Sequence, residues 1–259
     1  MKKTVLSLGL LMTLASASSQ ADTLLGLYAG AQGWNMQTAG GFSDDGDNRD
    51  FNFDTETKTN IYVAFEHPIP VIPNIKLQRT EMDTMGDITI EQQFEFYDQL
   101  YMTNSNLNTD VQLTSTDYIL YYELFDNDLI SFDFGLTGKH IKGEFIVTNK
   151  DDPSETSNED FSFGVPMLYS RLAVGIPFSG FGAYAEGHYL SIGDNTVSDM
   201  QAVVTYSLME NLALDVTFQF GYRLAAVELD YDFDVLGDTY ELYSDLEFKG
   251  FFAGIEVHF

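Results

Sequence analysis

Apolar and polar residues alternate with a period of two along most of this chain. The most regular run covers residues 212–223, where Leu212, Leu214 and Val216 begin a series of apolar positions separated by polar ones. Successive side chains of a β-strand point to opposite faces, so this run places one continuous apolar face opposite a polar face. So long an apolar face is unfavourable on a strand that faces water. The pattern predicts β-strands with one face in an apolar environment.

The same alternation predicts ten strands. They cover residues 24–37, 51–66, a segment starting near 75, 115–124, 129–145, 161–176, 181–192, 198–208, 212–223 and 251–259. The connections alternate between long and short, except for a short loop after the seventh strand. An even strand number with alternating loop lengths is typical of transmembrane β-barrels. We therefore expect an all-β fold, a transmembrane up-and-down antiparallel β-barrel of about ten strands, with eight or twelve as alternative counts.

Two segments fit this scheme poorly. In the third strand, Arg79 shares a face with Ile75 and Leu77, which predicts either a bulge or a different register. Residues 92–113 either extend the flanking strands or hold a short helix around 94–101.

The first 21 residues have the pattern of an export signal. Lys2 and Lys3 precede a mostly apolar run over residues 5–15, and small residues at 19–21 fit a signal-peptidase site. This run is shorter than the roughly 20 apolar residues that a transmembrane helix needs, and no other segment of the sequence approaches that length. We expect a signal peptide over residues 1–21, cleaved before Asp22, and one barrel domain over 22–259.

An exported soluble β-sandwich or lipocalin-like cup would also show alternating strands. In either fold the apolar face would point inward, and the charged face would be a free surface. Here the polar face mixes acids with Lys58, Lys139, Arg171 and Arg223. Mixed charges suit a hydrated or salt-bridged lumen better, so the sequence favours the membrane barrel.

The last strand ends on Phe259, the final residue of the sequence. Phe251, Ala253 and Ile255 lie on the same face as Phe259. This strand resembles the terminal strand of bacterial outer-membrane barrels, whose final aromatic residue is part of the signal read by the barrel-insertion machinery. The resemblance implies the outer membrane of a Gram-negative bacterium, with both termini in the periplasm. It also implies outer-membrane lipid, lipopolysaccharide and the insertion machinery as partners.

The charge balance excludes some partners. The chain has 40 acids against 12 lysines and arginines, and loss of Lys2 and Lys3 with the signal changes the formal charge from −28 to −30. Such a chain repels nucleic acid and anionic lipid over most of its surface. It has no cysteine, which excludes disulfides and thiolate chemistry. We expect a monomer without a nucleic-acid partner, and an unidentified surface protein is a candidate partner.

Three short motifs resemble one family. They are Leu-Gly-Leu-Tyr at 25–28, Glu-His-Pro-Ile-Pro at 66–70 and Asp-Phe-Gly-Leu at 133–136. With them, the whole mature chain resembles a family of small proteobacterial outer-membrane proteins that co-occurs with the system sorting proteins with a glycine–glycine C-terminal tag. The resemblance implies no catalytic residue. This chain lacks the tag, so the resemblance implies a neighbour of that system and not a client.

Charged residues on the predicted inner face form a candidate polar network in the lumen. It comprises Lys58, Lys139, Arg171, Glu186, His188, Asp215 and Arg223. A carboxylate that orients a histidine, as Glu186 could orient His188, is half of a hydrolytic site. The sequence places no serine nucleophile beside this pair. We therefore expect a structural pair and no enzyme, and a lumen hydrolase is the third functional alternative.

The expected strand number limits the size of a pore. Eight strands leave just enough room for side chains, whereas porins need sixteen or more. A ten-stranded barrel filled with tyrosines and charged residues should be mostly plugged. We expect a non-enzymatic barrel with a structural or surface-interaction role. A narrow cation-preferring channel for small solutes is the alternative.

An extended extracellular hairpin is expected near residues 224–251. Four acids on its outward face, Glu228, Asp230, Asp245 and Glu247, are candidate ligands for Ca²⁺ or Mg²⁺. A four-residue turn at 236–239 would place Asp230 opposite Asp245 and Glu228 opposite Glu247, with Leu229 and Phe233 towards the lumen. Simple solvation of the hairpin by its acids is the alternative, and solvation is also expected for the acidic loop at 43–50. No resident cofactor is expected.

Overall fold

The computed structural model describes residues 25–43, 49–127, 129–209, 214–229, 233–235, 238–240 and 243–259. The predicted signal peptide, Asp230 and most of the acidic loop at 43–50 lie outside these residues. Among the residues described, no helix is long and apolar enough to cross a membrane.

Ten long antiparallel strands form a closed barrel. They are β1 (Gly26–Ala39), β2 (Glu56–Glu66), β3 (Asn74–Glu81), β4 (Asn106–Asp126), β5 (Ile130–Asn149), β6 (Thr156–Gly175), β7 (Phe181–Ile192), β8 (Asn195–Met209), β9 (Asp215–Leu229) and β10 (Tyr243–His258). Neighbours in sequence pair with each other, and β1 pairs with β10 from Tyr28 opposite His258 to Ala39 opposite Glu247. The predicted ten-stranded up-and-down barrel is confirmed.

The two ends of the barrel differ in their connections. Both termini of the barrel lie at one end, here called the terminal end, with the connections at 67–73, 127–129, 176–180 and 210–214. The opposite end, here called the loop end, has the connections at 40–55, 82–105, 150–155, 193–194 and 230–242. Strands β4, β5 and β6 have 21, 20 and 20 residues, against 12 in β7. The part of the barrel wall that β4, β5 and β6 form therefore projects about 25 Å beyond β7 at the loop end.

The hydrophobic alternation reverses between the two ends. Near the terminal end of β5, Phe134 and Leu136 face outward and are exposed. Farther along the same strand, Ile141, Phe145 and Val147 face inward and are buried. The barrel is thus apolar outside near the terminal end, as lipid requires, and apolar inside near the loop end, as in a soluble protein. Strand β4 exceeds its predicted length most, because its extension over residues 106–114 carries its apolar residues Leu107, Val111 and Leu113 on the inward face.

The reversed alternation builds a core inside the loop end of the lumen, which we call the apolar plug. Its largest members are Trp34, Met36, Phe42, Phe51, Phe94, Phe96, Tyr101, Phe145, Phe248 and Phe252. Phe42 is central, because its ring centroid lies 4.3 Å from that of Phe145 and 5.1 Å from that of Phe96. Burial of each such ring contributes about 2–3 kcal/mol. Loop segments, and not only barrel strands, therefore fill this part of the lumen.

A two-stranded hairpin supplies part of the plug. Phe94–Phe96 pairs with Gln99–Tyr101, so the helix considered for residues 94–101 is wrong. Tyr97 and Asp98 have φ values of 43° and 65°, and a two-residue type I′ turn requires positive φ at both positions. The apolar residues at 94, 96 and 101 favour this hairpin because the plug buries all three.

Strand β3 is regular, without a bulge. Burial alternates at every residue from Asn74 to Glu81, so Lys76 points into the lumen. Arg79 points outward with Ile75 and Leu77, as its position in the alternation implies. Its cross-strand neighbours are Ile61 on β2 and Thr116 on β4.

Gly40 connects β1 to the plug with little free space. Its φ is +93°, and a Cβ atom there would lie 2.2 Å from the carbonyl oxygen of Asp245. We expect Gly40→Ala to lower the free energy of unfolding by about 1–3 kcal/mol. Alanine disfavours this positive φ, and its Cβ atom would force the backbone to move away from the Asp245 carbonyl. Urea unfolding followed by Trp34 fluorescence measures the change. Gly33→Ala is the matched control, because a Cβ at Gly33 meets no atom within 4 Å; equal losses for both variants would contradict the explanation.

Candidate functional site

A row of polar side chains crosses the inner wall from β5 to β9. The strand register places Asp133 opposite Arg171, Arg171 opposite Glu186, Glu186 opposite Gln201 and Gln201 opposite Arg223. Each belongs to the inward-facing set of its strand. The sequence therefore assembles this row through strand parity and register alone.

A buried ion cluster lies at one end of this row. The Lys139 ammonium donates to both oxygens of Asp117, at 2.9 and 2.8 Å, and to Asp199 at 3.1 Å. Arg223 donates to the two oxygens of Asp199 at 2.8 and 2.6 Å. All four residues are at most 4% exposed, and the two positive and two negative charges balance. The guanidinium of Arg223 also lies 5.0 Å from the ring of Trp34, where the ion cluster meets the plug.

A second ion pair joins Lys76 to Glu186. The ammonium lies 2.9 Å from each carboxylate oxygen, and Gln201 and Tyr169 also donate to Glu186, at 3.0 and 3.2 Å. This carboxylate therefore accepts four hydrogen bonds, which offsets the loss of its hydration. Charge-assisted hydrogen bonds of this kind fix the side chains in place.

His188 lies beside this pair. Its Nδ1 atom is 2.8 Å from the Thr137 hydroxyl oxygen, and its Nε2 atom is 3.9 Å from Glu186 Oε1. Carboxylate, imidazole and hydroxyl occur in the order of a hydrolytic triad. However, Thr137 is 1% exposed and His188 is 2% exposed, so a substrate has no access to this hydroxyl. The geometry is that of a buried hydrogen-bonded group.

A chain of hydrogen bonds leads from the ion cluster towards the terminal end. From donor to acceptor it runs through Arg223, Thr80, Asn60, Gln32, Gln219, Tyr62 and Glu256. The donor–acceptor distances lie between 2.6 and 3.1 Å. Every bond points the same way, so neighbouring bonds polarise one another. The chain connects the buried guanidinium with a carboxylate at the mouth of the lumen.

The lumen opens at the terminal end into a cavity of about 220 Å³. Its wall holds six carboxylates, Glu66, Glu123, Asp126, Asp133, Glu186 and Glu256, with five tyrosines and two bases, Lys76 and Arg171. Lys76 pairs with Glu186, and Arg171 lies 3.4 Å from Asp133. The wall of this cavity therefore holds four more carboxylates than bases. A wider mouth of about 650 Å³ shares Asp126, Arg171, Tyr184 and Glu256 with this terminal-end cavity.

Two residues of the predicted lumen network lie away from this site. Lys58 is at the loop end, 3.4 Å from Glu56 and 3.9 Å from Asp83. Burial raises the pKa of the Asp83 carboxyl, and the Lys58 charge opposes that shift. Asp215 is at the terminal end, 3.4 Å from His258. The structure brings Lys139, Arg171, Glu186, His188 and Arg223 together in the lumen.

The predicted network omits three members of the ion cluster and of the second ion pair, namely Asp117, Asp199 and Lys76. Asp199 and Lys76 follow from strand parity, but the outward Arg79 obscured the parity of β3. Asp117 also follows from parity, because it alternates with outward-facing Tyr118. Inside the lumen it accepts a hydrogen bond from Ser115 at 2.7 Å.

The predicted register of the acidic hairpin is wrong by two residues. Glu228 lies opposite Asp245, and Ala226 lies opposite Glu247. Val235 pairs with Asp238, so the turn at 236–237 has two residues instead of four. Strand parity is unchanged, and Leu229 is buried on the lumen side. The position of the turn cannot be read from alternation, because a shift of two residues preserves every face.

Two of the three hairpin acids that the structure describes have other partners. Asp245 Oδ1 accepts a hydrogen bond from the Gly41 amide at 2.6 Å, and Glu247 pairs with Lys249. In the described part of the chain, no three histidine, aspartate or glutamate side chains are grouped to hold a metal ion. Binding of Ca²⁺ or Mg²⁺ by Glu228, Asp230, Asp245 and Glu247 stays a prediction.

Phe259 closes the barrel at the terminal end. Its amide donates to the Leu27 carbonyl at 3.0 Å, and its side chain is exposed on the outer surface. Its role as an insertion signal stays a prediction.

Comparisons with known proteins identify only general similarity. No protein-family model matches the chain. No curated protein sequence matches it significantly. The toluene transporter TodX of P. putida is a similar solved structure, with a TM-score of 0.31, 6% identity and coverage of 92% of this chain and 90% of that chain.

Two other solved structures are similar at the same level. A FadL homologue of Pseudomonas aeruginosa has a TM-score of 0.28 and 8% identity, and covers 91% of this chain and 89% of its own. The monoaromatic hydrocarbon channel CymD has a TM-score of 0.25 and 8% identity, with coverage of 96% and 91%. Similarity at this level transfers no residue role and no substrate. The closed barrel with its apolar outer belt is nevertheless the architecture of outer-membrane β-barrel proteins.

Proposed function

We propose that this protein is a narrow, cation-preferring channel for small solutes in the outer membrane of a Gram-negative bacterium. The described state is closed. The observation that carries the proposal is the acidic terminal-end cavity, which is continuous with its wider mouth. The short connections and both termini would face the periplasm, as in other barrels of this class.

The cavity has the electrostatics of a cation site. Its four excess carboxylates lie in a low-dielectric wall, which concentrates the negative potential. The Tyr62 and Tyr121 hydroxyls donate to Glu256 and Glu66 at 2.6 and 2.7 Å, which holds these carboxylates in place. Small cations would therefore be enriched in the cavity, and anions would be repelled.

The ion cluster and the apolar plug separate this cavity from the loop end. Passage would require the side chains around Lys139 and Arg223 to rearrange, and part of the plug to move. Such a path is narrow, which agrees with the limited lumen of a ten-stranded barrel.

The filled lumen favours a second candidate function. A barrel closed by both a balanced ion cluster and an apolar plug also suits a non-conducting structural or surface-interaction protein. Membership of the family associated with the glycine–glycine tag system fits either candidate and rests on the three short motifs.

Planar-bilayer recording in a KCl gradient tests the channel. We expect current steps far below those of porins, with a reversal potential that shows cation preference. Glu66→Gln combined with Glu256→Gln should lower the cation-to-anion permeability ratio at least about twofold, since it removes two of the excess charges. Glutamine can still accept the hydrogen bond from Tyr121.

Glu144→Gln combined with Asp160→Asn is the matched control. These two acids lie opposite each other on β5 and β6, on the outer surface near the loop end, and should leave selectivity unchanged. Anion preference of the wild-type protein would contradict the proposal. Absence of any current from correctly folded protein would favour the non-conducting candidate.

A further inference from the structure

The outer surface of the barrel carries an unusual pair of basic residues. Of the lysines and arginines after the signal, Lys58, Lys76, Lys139, Lys150, Arg171, Arg223 and Lys249 form ion pairs. Arg49 lies over the ring of Phe94 at 5.3 Å. Within the described part of the chain, Arg79 and Lys142 have no carboxylate within ion-pair distance. Both side chains are exposed.

The sheet register brings these two residues close together. Arg79 lies opposite Thr116, and Thr116 lies opposite His140. Lys142 follows two residues after His140 on the same face of β5. Adjacent strands are about 4.8 Å apart and residues two apart on a strand about 7 Å. Arg79, His140 and Lys142 therefore form one patch about 10 Å wide, which we call the basic patch.

The basic patch lies at the loop-side boundary of the apolar belt. One step towards the terminal end, the outward row holds Leu77, Tyr118 and Gly138. One step towards the loop end, Glu81 and Lys142 flank Thr114, and the next row holds Glu144 opposite Asp160. Lysine and arginine at this height extend their charges to the boundary between hydrocarbon and headgroups.

The surface next to His140 is open. Its cross-strand neighbour Gly164 and the nearby Gly138 would each meet no atom within 4 Å if a Cβ were added. Glycine in a strand interior weakens the strand and often marks a position where a ligand approaches closely. The two glycines leave a shallow depression in the outer surface. The imidazole Nε2 of His140 is 2.9 Å from the Ser162 hydroxyl, so the ring is held in place beside this depression.

We propose that the basic patch binds a phosphate group of a phosphorylated glycolipid in the outer leaflet. Arg79 and Lys142 supply charge-assisted hydrogen bonds to the phosphate, and the depression at Gly138 and Gly164 accepts part of the sugar or the first acyl atoms. The carboxylates of Glu81, in the row of Lys142, and of Glu144, one row farther towards the loop end, repel a phosphate from that side of the patch. The inference rests on the loop end facing the cell exterior, and it is independent of conduction.

Binding to phosphorylated lipid A tests the proposal. Purified, folded protein in neutral detergent is titrated with diphosphorylated lipid A and with the same lipid after removal of its phosphates. The titrations contain EDTA, so that divalent cations cannot bridge carboxylates to the lipid. We expect the wild-type protein to bind the phosphorylated lipid about tenfold more tightly, as two charge-assisted hydrogen bonds would give.

Arg79→Gln combined with Lys142→Gln should lose this preference. Lys150→Gln combined with Lys249→Gln removes two bases outside the patch and should keep the preference for the phosphorylated lipid. Electrophoretic mobility without heating shows that each variant is folded. Equal affinity of the wild-type protein for both lipids, or an unchanged preference in the Arg79 and Lys142 variant, would overturn the proposal. Competition by inorganic phosphate at equal concentration would reassign the patch to free phosphate and overturn the glycolipid.

Discussion

Asp199→Ala is expected to lower the free energy of unfolding by about 3–5 kcal/mol, the usual cost of leaving a buried charge without its partner. Asp199 binds both Arg223 and Lys139, so its loss leaves two buried cations with only Asp117. Urea unfolding in detergent or lipid vesicles measures the change. Trp34 is the sole tryptophan and lies against Arg223, so its fluorescence reports directly on this cluster.

Two further variants separate charge from packing. Asp199→Leu combined with Arg223→Leu removes one charge of each sign and leaves the pair of Lys139 with Asp117. We expect this double variant to be more stable than Asp199→Ala, because apolar residues often replace a buried ion pair at little cost. Asp160→Ala, on the outer surface, is the control and should change stability by less than about 0.5 kcal/mol. A loss below about 1 kcal/mol for Asp199→Ala would contradict the importance of the cluster.

Phe145→Ala is expected to cost about 3–5 kcal/mol, as for other buried phenylalanines. The Phe145 side chain is 2% exposed, and its ring centroid lies 4.3 Å from that of Phe42 and 5.0 Å from that of Phe161. Its removal leaves a cavity in the apolar plug that the surrounding barrel cannot close. Under the channel proposal, the same variant should also conduct more than the wild-type protein.

Phe178→Ala is the control for this prediction. Phe178 is fully exposed in the turn at the terminal end, so its truncation should leave stability unchanged. Equal losses for the two variants would show that the plug adds nothing specific to the stability of the barrel.

Strand number and facing were predictable because alternation and loop length are local signals. In β9 and β10, for example, parity alone places Arg223 and Glu256 inside. The lengths of β4, β5 and β6 were not predictable in the same way. The tract from Leu107 to Leu113 alternates like a membrane strand, but nothing local shows that its apolar face has changed sides.

The composition of the polar site depended on contacts between distant residues. Lys76 and Glu186 are 110 positions apart, and only closure of the barrel brings them to 2.9 Å. The register of the acidic hairpin was predicted wrongly for a different reason, because strand parity is unchanged by a shift of two residues. The inward position of Phe94 and Phe96 could not be predicted locally either, because it depends on the space that the long strands β4, β5 and β6 enclose.

The apolar plug also has a consequence for the order of assembly. Trp34 and Met36 come from the first strand, Phe248 and Phe252 come from the last, and Phe145 lies between them in the sequence. These residues meet only after β1 has paired with β10, so the plug cannot form on an open sheet. Contacts between such distant positions form slowly. The last step of barrel closure therefore gains a hydrophobic core as well as a row of hydrogen bonds, and reopening of the seam between β1 and β10 must first dismantle that core.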